Sequence, residues 1–326
     1  MKKKNRIGLG TFPLAGVFSK VDKKEAERII KTFIEKDGYY FDTAPMYGYG
    51  EVEKLLGKVL KSIPRRSYSI ATKCGFIGIE DKNLTISSKY DDVIKECEKS
   101  LKRLKVDFID LYFVHVPDPE TPFSETIKAL TKLQKDGKIK EIGVSNVSLE
   151  ELKEYNKTRK IKYVQNRFSL INKSIDKTFE NYFLKHKISL IPYQIIERGQ
   201  LSDKIVRGID LRDGDLRYTK PDWKIRRLKV ITQWVDSKLK PIAKESGIRT
   251  EHLAIAWALH QPYVNFVILG ATSTKQLLDN LRANEVKLSG NILREIDKAY
   301  KELEKLIKTE YRQGVHIFRG LNEKFY

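Results

Sequence analysis

The segment Tyr39-Tyr40-Phe41-Asp42-Thr43-Ala44-Pro45-Met46-Tyr47-Gly48-Tyr49-Gly50-Glu51 passes from an apolar strand through a glycine-punctuated turn into a helix. Behind it Val52, Leu55, Leu56, Val59 and Leu60 recur at helical spacing, and a second strand follows at Ser69 to Thr72. Strand, helix, strand is the unit of a parallel sheet, because parallel neighbours need a long crossover. Upstream, Ile7 to Gly10 reads as an earlier strand. Asp22 and Glu25 predict a capping box for a helix carrying Ala26, Ile29, Ile30, Phe33 and Ile34, which stops near Gly38.

The alternation continues downstream. A helix at Asp91 to Leu104 precedes a strand at Ile109 to Val114; Thr121-Pro122 opens a helix with proline at its first position, and Gly137 closes it. Strands follow at Lys140 to Val144, Tyr163-Val164, Ser189 to Pro192 and Phe266 to Leu269. Between them lie a helix boxed by Ser148 and Glu151 and another at Asp176 to His186, and Ser273 with Gln276 predicts a further box after the last strand. Eight strands with intervening helices and no internal linker predict an α/β chain folded as a (β/α)8 TIM barrel, one domain over residues 1–326, rather than two doubly wound halves. Two departures stand out. The charged stretch from Gly199 to about Arg227, after strand seven, is too long for an ordinary loop and reads as a functional flap, and residues 301–326 read as a C-terminal tail.

The formal charge of +20 is interspersed with acids, as in Lys23-Lys24-Glu25 and Glu150-Glu151-Leu152-Lys153. That pattern describes solvated helix faces, not a dedicated nucleic-acid surface, which would combine concentrated charge with stacking aromatics. An excess of cations still favours an anionic small-molecule substrate. Arg207, Arg212, Arg217, Lys220, Lys224, Arg226, Arg227 and Lys229 place that expectation on the flap. Cys74 and Cys97 offer neither a disulfide framework nor metal-ligand spacing, which suits a reducing, cytoplasmic compartment. Met1 to Arg6 and the apolar Ile7 to Phe18 imitate a signal peptide, but glycines and Pro13 interrupt the run and no cleavage site follows. No stretch is long enough to span a bilayer, and no motif encodes an oligomeric state.

Each predicted strand ends on a small or polar residue: Gly10-Thr11, Asp42, Lys73, His115, Ser145-Asn146, Gln165, Tyr193 and Gly270. Singly these are turn formers or solvated ends. In a barrel they converge on the one face that holds active sites. Gly8-Leu9-Gly10-Thr11, the segment from Asp42 to Glu51, Thr72-Lys73, Val114-His115-Val116-Pro117-Asp118, Gly143-Val144-Ser145-Asn146 and Gln165-Asn166 together resemble the aldo-keto reductase family, in order, from residue 8 to about residue 283. The resemblance implies a (β/α)8 barrel and an NAD(P)(H)-dependent oxidoreductase that reduces an aldehyde or ketone, or runs the reverse. The alternative it leaves is a nicotinamide-binding regulatory or sensor subunit with slow turnover. A dinucleotide fingerprint is absent, since Gly48-Tyr49-Gly50 lacks the third glycine.

Hydride delivery builds negative charge on a carbonyl oxygen, so the site must supply a proton and a positive environment. Tyr47 is the expected donor, Lys73 the cation that eases loss of its proton, Asp42 the anchor of that ammonium, and His115 the group orienting the carbonyl. For the cofactor, the resemblance implies Ser145, Asn146 and Gln165 at the carboxamide, Tyr193 stacked on the nicotinamide, and Gly10, Thr11, Phe12 and Asp42 nearby. It also implies Gln194, Gly199 and Leu201 along the pyrophosphate, although Tyr193-Gln194-Ile195-Ile196 departs from the family's Tyr-Ser-Pro-Leu. Gly270, Thr272, Ser273, Lys275, Gln276 and Asn280 would hold the adenosine end, where a helix N-terminus favours an anion. Thr272 stands where many members have arginine; Lys275 in its place points to NADP(H), with NAD(H) as the alternative. His186, His252, His260 and His316 lack ligand spacing, and no metal is expected.

Overall fold

Strand alternation sorts the core into two compartments. The protein is described over residues 5–204, 214–219 and 225–312 of a computed structural model. The strands are β1 (Ile7–Gly10), β2 (Tyr40–Asp42), β3 (Ser69–Ile77), β4 (Thr85–Ser87), β5 (Ile109–Val114), β6 (Ile139–Ser145), β7 (Ile161–Gln165), β8 (Ser189–Leu190) and β9 (Val267–Gly270). Parallel pairing runs β8-β7-β6-β5-β3-β2-β1-β9. The ends of that order meet where Leu190 pairs with Val264 and the Ile268 N–H donates to the Pro192 carbonyl at 3.1 Å, which closes a (β/α)8 barrel.

Helices α1 (Lys23–Glu35), α2 (Glu51–Leu60), α3 (Tyr90–Leu104), α4 (Phe123–Lys135), α5 (Leu149–Tyr155) and α6 (Lys177–His186) occupy the crossovers. Between β8 and β9 lie α7 (Ile225–Trp234), α8 (Lys240–Glu245) and α9 (Thr250–His260); α10 (Thr274–Arg282) and α11 (Gly290–Arg312) follow. The predicted tail therefore begins inside a helix. Among the described residues no helix is long and apolar enough to cross a membrane.

Outward-facing Leu9, Phe41, Ile70, Tyr112, Val114 and Val144 pack under the helices. Inward-facing Tyr40, Ala71, Leu111, Phe113, Ile191, Phe266 and Ile268 fill the barrel and form a plug below its mouth. Gly143 makes room for that plug: a Cβ there would lie 2.3 Å from Cε1 of Phe113. Lys73 is in register with Phe113, so the plug ends where the polar mouth begins.

Several local expectations need correction. The strand expected to end at Thr72 continues to Ile77, because Gly75, at φ 104°, turns it away from β5 to pair antiparallel with β4. Of three predicted capping boxes only Ser148 with Glu151 is complete. Asp22 accepts from the Glu25 N–H at 2.8 Å, but the Glu25 carboxylate faces Thr274; Ser273 accepts from the Gln276 N–H at 3.2 Å, but Gln276 Oε1 accepts from the Thr272 N–H at 2.9 Å. Pro122 caps α4 from outside instead of occupying its first position.

Candidate active site

Parallel strands aim all their C-terminal ends at one mouth, and inward alternation puts Asp42, Lys73, Ser145 and Gln165 on its inner wall. Lys73 is 1% exposed and Asp42 3%. The ammonium donates to Asp42 Oδ1 and Oδ2 at 3.0 and 3.1 Å and to the Thr43 carbonyl at 2.8 Å. A buried ion pair with its remaining donors satisfied persists at tolerable cost. Gln165 Nε2 adds a bond to Asp42 Oδ2 at 2.8 Å, locking the carboxylate from across the barrel.

Tyr47 reaches this pair from the loop after β2. Gly48, Tyr49 and Gly50 all have positive φ (58°, 54° and 86°), and this tight reversal turns the chain from the mouth into α2. The Tyr47 hydroxyl ends 3.4 Å from Lys73 Nζ, and its ring packs on Phe12, centroids 5.0 Å apart. His115 follows β5, its ring edge-on to Tyr47 and to Phe76 at 6.2 and 5.3 Å. The four expected catalytic side chains therefore share one mouth.

Electrostatics at the mouth follow from burial. Burial, followed by the nearby Asp42 carboxylate, pushes the Tyr47 phenol well above its ordinary value. Lys73 stands beside the Tyr47 hydroxyl while its ammonium is held by Asp42. Burial, and then the charge of Lys73, hold His115 well below the usual histidine value, which leaves a neutral imidazole able to donate one N–H.

The residues expected around the nicotinamide also meet. Ser145 Oγ donates to the Gln165 carbonyl at 2.7 Å; Asn146, at φ 57°, donates to the His115 carbonyl at 2.9 Å and accepts from the Tyr193 hydroxyl at 2.5 Å. Burial raises the Tyr193 phenol to about 12. The Thr11 hydroxyl is turned inward onto the Asp42 carbonyl at 2.8 Å. Gly10 pairs in register with Gly270. Beyond Tyr193, Gln194 has φ 57° and a buried Oε1 that meets no partner among the described residues, Gly199 has φ 100°, and Leu201 is fully buried, so it offers backbone alone.

The adenosine-end expectation changes most. Three amides at the start of α10 already have acceptors: Thr272 N–H on Gln276, Gln276 N–H on Ser273, and Thr274 N–H on Glu25 Oε1 at 2.7 Å. The Thr274 hydroxyl also donates to Glu25, at 2.9 Å, so a carboxylate occupies part of the expected anion site. Asn280 braces the turn by donating to the Gly270 carbonyl at 3.3 Å, and Lys275 is exposed. On the flap, Arg207, Arg212, Lys220 and Lys224 lie outside the described residues, as do the side chain of Arg226 and His316. Arg217 forks onto Asp215 and Arg227 is 1% exposed, so neither presents a free guanidinium row to an anion.

Sequence reasoning passed over the groups behind the mouth. Glu53 and Thr72 meet behind the Tyr47 loop at 2.6 Å. Beneath Tyr193, Glu197 is held by Arg167 and by Ser169 Oγ, the latter at 2.5 Å. No sequence signal marked these groups, since a carboxylate on a helical pattern reads as surface until tertiary packing covers it.

Residues 6–301 match the model of the aldo/keto reductase family. The chain is 31% identical over 274 residues to the aldo-keto reductase YhdN of Bacillus subtilis, covering 84% of this chain and 83% of that protein. It is 29% identical over 318 residues to the NADH-specific methylglyoxal reductase of Escherichia coli, covering 90% and 95%. Among solved structures, the glycerol dehydrogenase AKR11B4 from Gluconobacter oxydans superposes with a TM-score of 0.82 at 28% identity, over 91% of each chain.

Proposed function

The chain belongs to the aldo/keto reductase family, and from that premise we propose that it is an NAD(P)H-dependent enzyme reducing an aldehyde or ketone to the alcohol, with Tyr47 as the proton donor. The observation that carries the assignment of roles is the Lys73 ammonium, held by both Asp42 oxygens and 3.4 Å from the Tyr47 hydroxyl at the mouth of the barrel. A tyrosine titrates near pH 10 even when unperturbed, so the donor carries its proton at neutral pH. As negative charge grows on the substrate oxygen, transfer of the Tyr47 proton leaves a phenolate beside the ammonium, which stabilises it. Neutral His115 donates to the same oxygen and sets its direction.

A nicotinamide held at this mouth would supply the hydride. Gln165, Asn146 and Ser145 offer the mixed donors and acceptors that match its carboxamide, and Tyr193 offers a ring face. NADP(H) is the preferred cofactor in this reading and NAD(H) a possible one, in keeping with the NADH-specific relative. The substrate is a small carbonyl compound.

The test is Tyr47→Phe, with Lys73→Met beside it. Tyr47→Phe should leave nucleotide binding intact and lower carbonyl reduction at least ~10²-fold, the lower range of general acid catalysis. Retained turnover in Tyr47→Phe would remove it as the acid. A wild-type protein that binds the nucleotide tightly and turns over no carbonyl panel would instead support the sensor reading.

A further inference from the structure

The two arms of the mouth, the loop carrying Tyr47 and the strand carrying Lys73, are joined behind the barrel wall by one buried carboxylate. Thr72, next to Lys73, faces outward because strand side chains alternate, and it is fully buried. Its hydroxyl donates to Glu53 Oε1 at 2.6 Å. Glu53 is itself fully buried in the first turn of α2, directly after the loop. Its other oxygen accepts from Arg103 Nε at 2.6 Å and Ser100 Oγ at 3.4 Å, both on α3.

Glu53's neighbour and Arg103 touch the loop as well. The Val52 N–H, next to Glu53, points to the Tyr47 carbonyl at 3.5 Å. The stem of Arg103 lies against Gly50, so closely that a Cβ there would sit 2.9 Å from Arg103 Cδ. One turn beyond Glu53, Gly57 lets α2 press on the end of α3, where a Cβ would meet the Arg103 and Leu104 carbonyls at 2.6 Å. The carboxylate thus sits between the element that aims Tyr47 and the residue beside Lys73.

We infer that Glu53, through Thr72 and Arg103, is a positioning residue that sets the distance between the Tyr47 hydroxyl and the Lys73 ammonium. The inference rests on the roles proposed for those two groups. A catalytic contact displaced by about 1 Å loses on the order of 10²-fold in rate. Loss of this tie therefore falls on kcat more than on nucleotide binding, whose expected carboxamide partners Ser145, Asn146 and Gln165 lie on and just after β6 and β7, away from Thr72 and Glu53. A carboxylate serving only the stability of α2 and α3 would lower the melting temperature without that split.

Thr72→Val decides the matter, because it keeps the shape and deletes only the hydroxyl. Its kcat should fall about tenfold or more with the dissociation constant for NADPH, measured by fluorescence, within twofold of wild type. Thr72→Ser, which keeps the hydroxyl, should recover most of the rate, and Glu53→Gln should fall at least as far as Thr72→Val in its folded fraction. Unchanged kcat per folded molecule in Thr72→Val overturns the inference, as does an equal deficit in Thr72→Ser. Tyr47→Phe assayed in parallel separates the premises: if it stays active, the proposed acid is wrong, whereas an inactive Tyr47→Phe beside a fully active Thr72→Val rejects the positioning role alone.

Discussion

At the scale of single residues, the mouth works through groups whose protonation is set by burial. His115 is held below the ordinary histidine value, first by burial and then by Lys73, so folding disfavours its charged form. The unfolded chain binds that proton more readily, near pH 6.5, which makes the contribution to stability complete above about pH 6.5 and lost progressively as pH falls toward the folded-state value. Thermal unfolding followed from pH 8 to pH 5 should show a falling midpoint, and His115→Gln should flatten that slope. An identical slope in the variant would mean that His115 is not the group responsible. At the alkaline end the sign reverses: the raised Tyr47 phenol favours the folded state below about pH 10 and withdraws that contribution as pH rises further.

At the scale of elements, helix termini carry more than the local pattern predicted. Asp22, Ser148 and Ser273 cap their helices as the sequence indicates, yet Gln276 turns to the nearby Thr272 amide, and Glu25 turns to the Thr274 amide because α1 and α10 are neighbours in the barrel and distant in sequence. Glu25 on the Thr274 amide and Lys275 one residue later place opposite charges at the end expected to meet the adenosine ribose. If a ribose phosphate docks there, Lys275→Ala should weaken NADPH by about 1–3 kcal/mol, the scale of a charge-assisted contact, and leave NADH nearly unchanged. Glu25→Gln should act in the opposite direction. Fluorescence titration of both nucleotides measures this, and equal losses for the two after Lys275→Ala would place the phosphate elsewhere.

At the scale of the whole molecule, the first and last strands are tied together at the end opposite the mouth. Arg6, just before β1, donates from its guanidinium to the carbonyls of Asn265, Leu259 and Val264 at 2.8, 3.0 and 2.5 Å, tying the first strand to the connection before the last. Hydrogen bonds to a charged group are worth about 1.5–3 kcal/mol each, and a carbonyl left without its donor adds to the loss. Arg6→Ala should therefore lower the unfolding free energy by about 2 kcal/mol or more, seen as a lower urea midpoint with an unchanged slope. The turnover of the folded fraction should stay at the wild-type level, since the plug of Tyr40, Leu111, Phe113 and Phe266 separates this end from Lys73. An undiminished midpoint would show that closure does not depend on this residue.

Hydrophobic periodicity, glycine punctuation and polar strand ends were sufficient to read the eight-stranded barrel and to bring Asp42, Lys73 and His115 to one face, because strand direction alone sends those ends to the same mouth, whereas Tyr47, on a loop, was singled out by the family resemblance. The hairpin of β4, the partner of Glu25, the Glu53 tie and the upward shift of Tyr47 were not legible there. Each depends on what a residue meets after the sheet curls and the helices dock. A carboxylate such as Glu53 looks like helix surface in the linear pattern, and only the approach of β3 and α3 removes its water and gives it Thr72 and Arg103 in exchange.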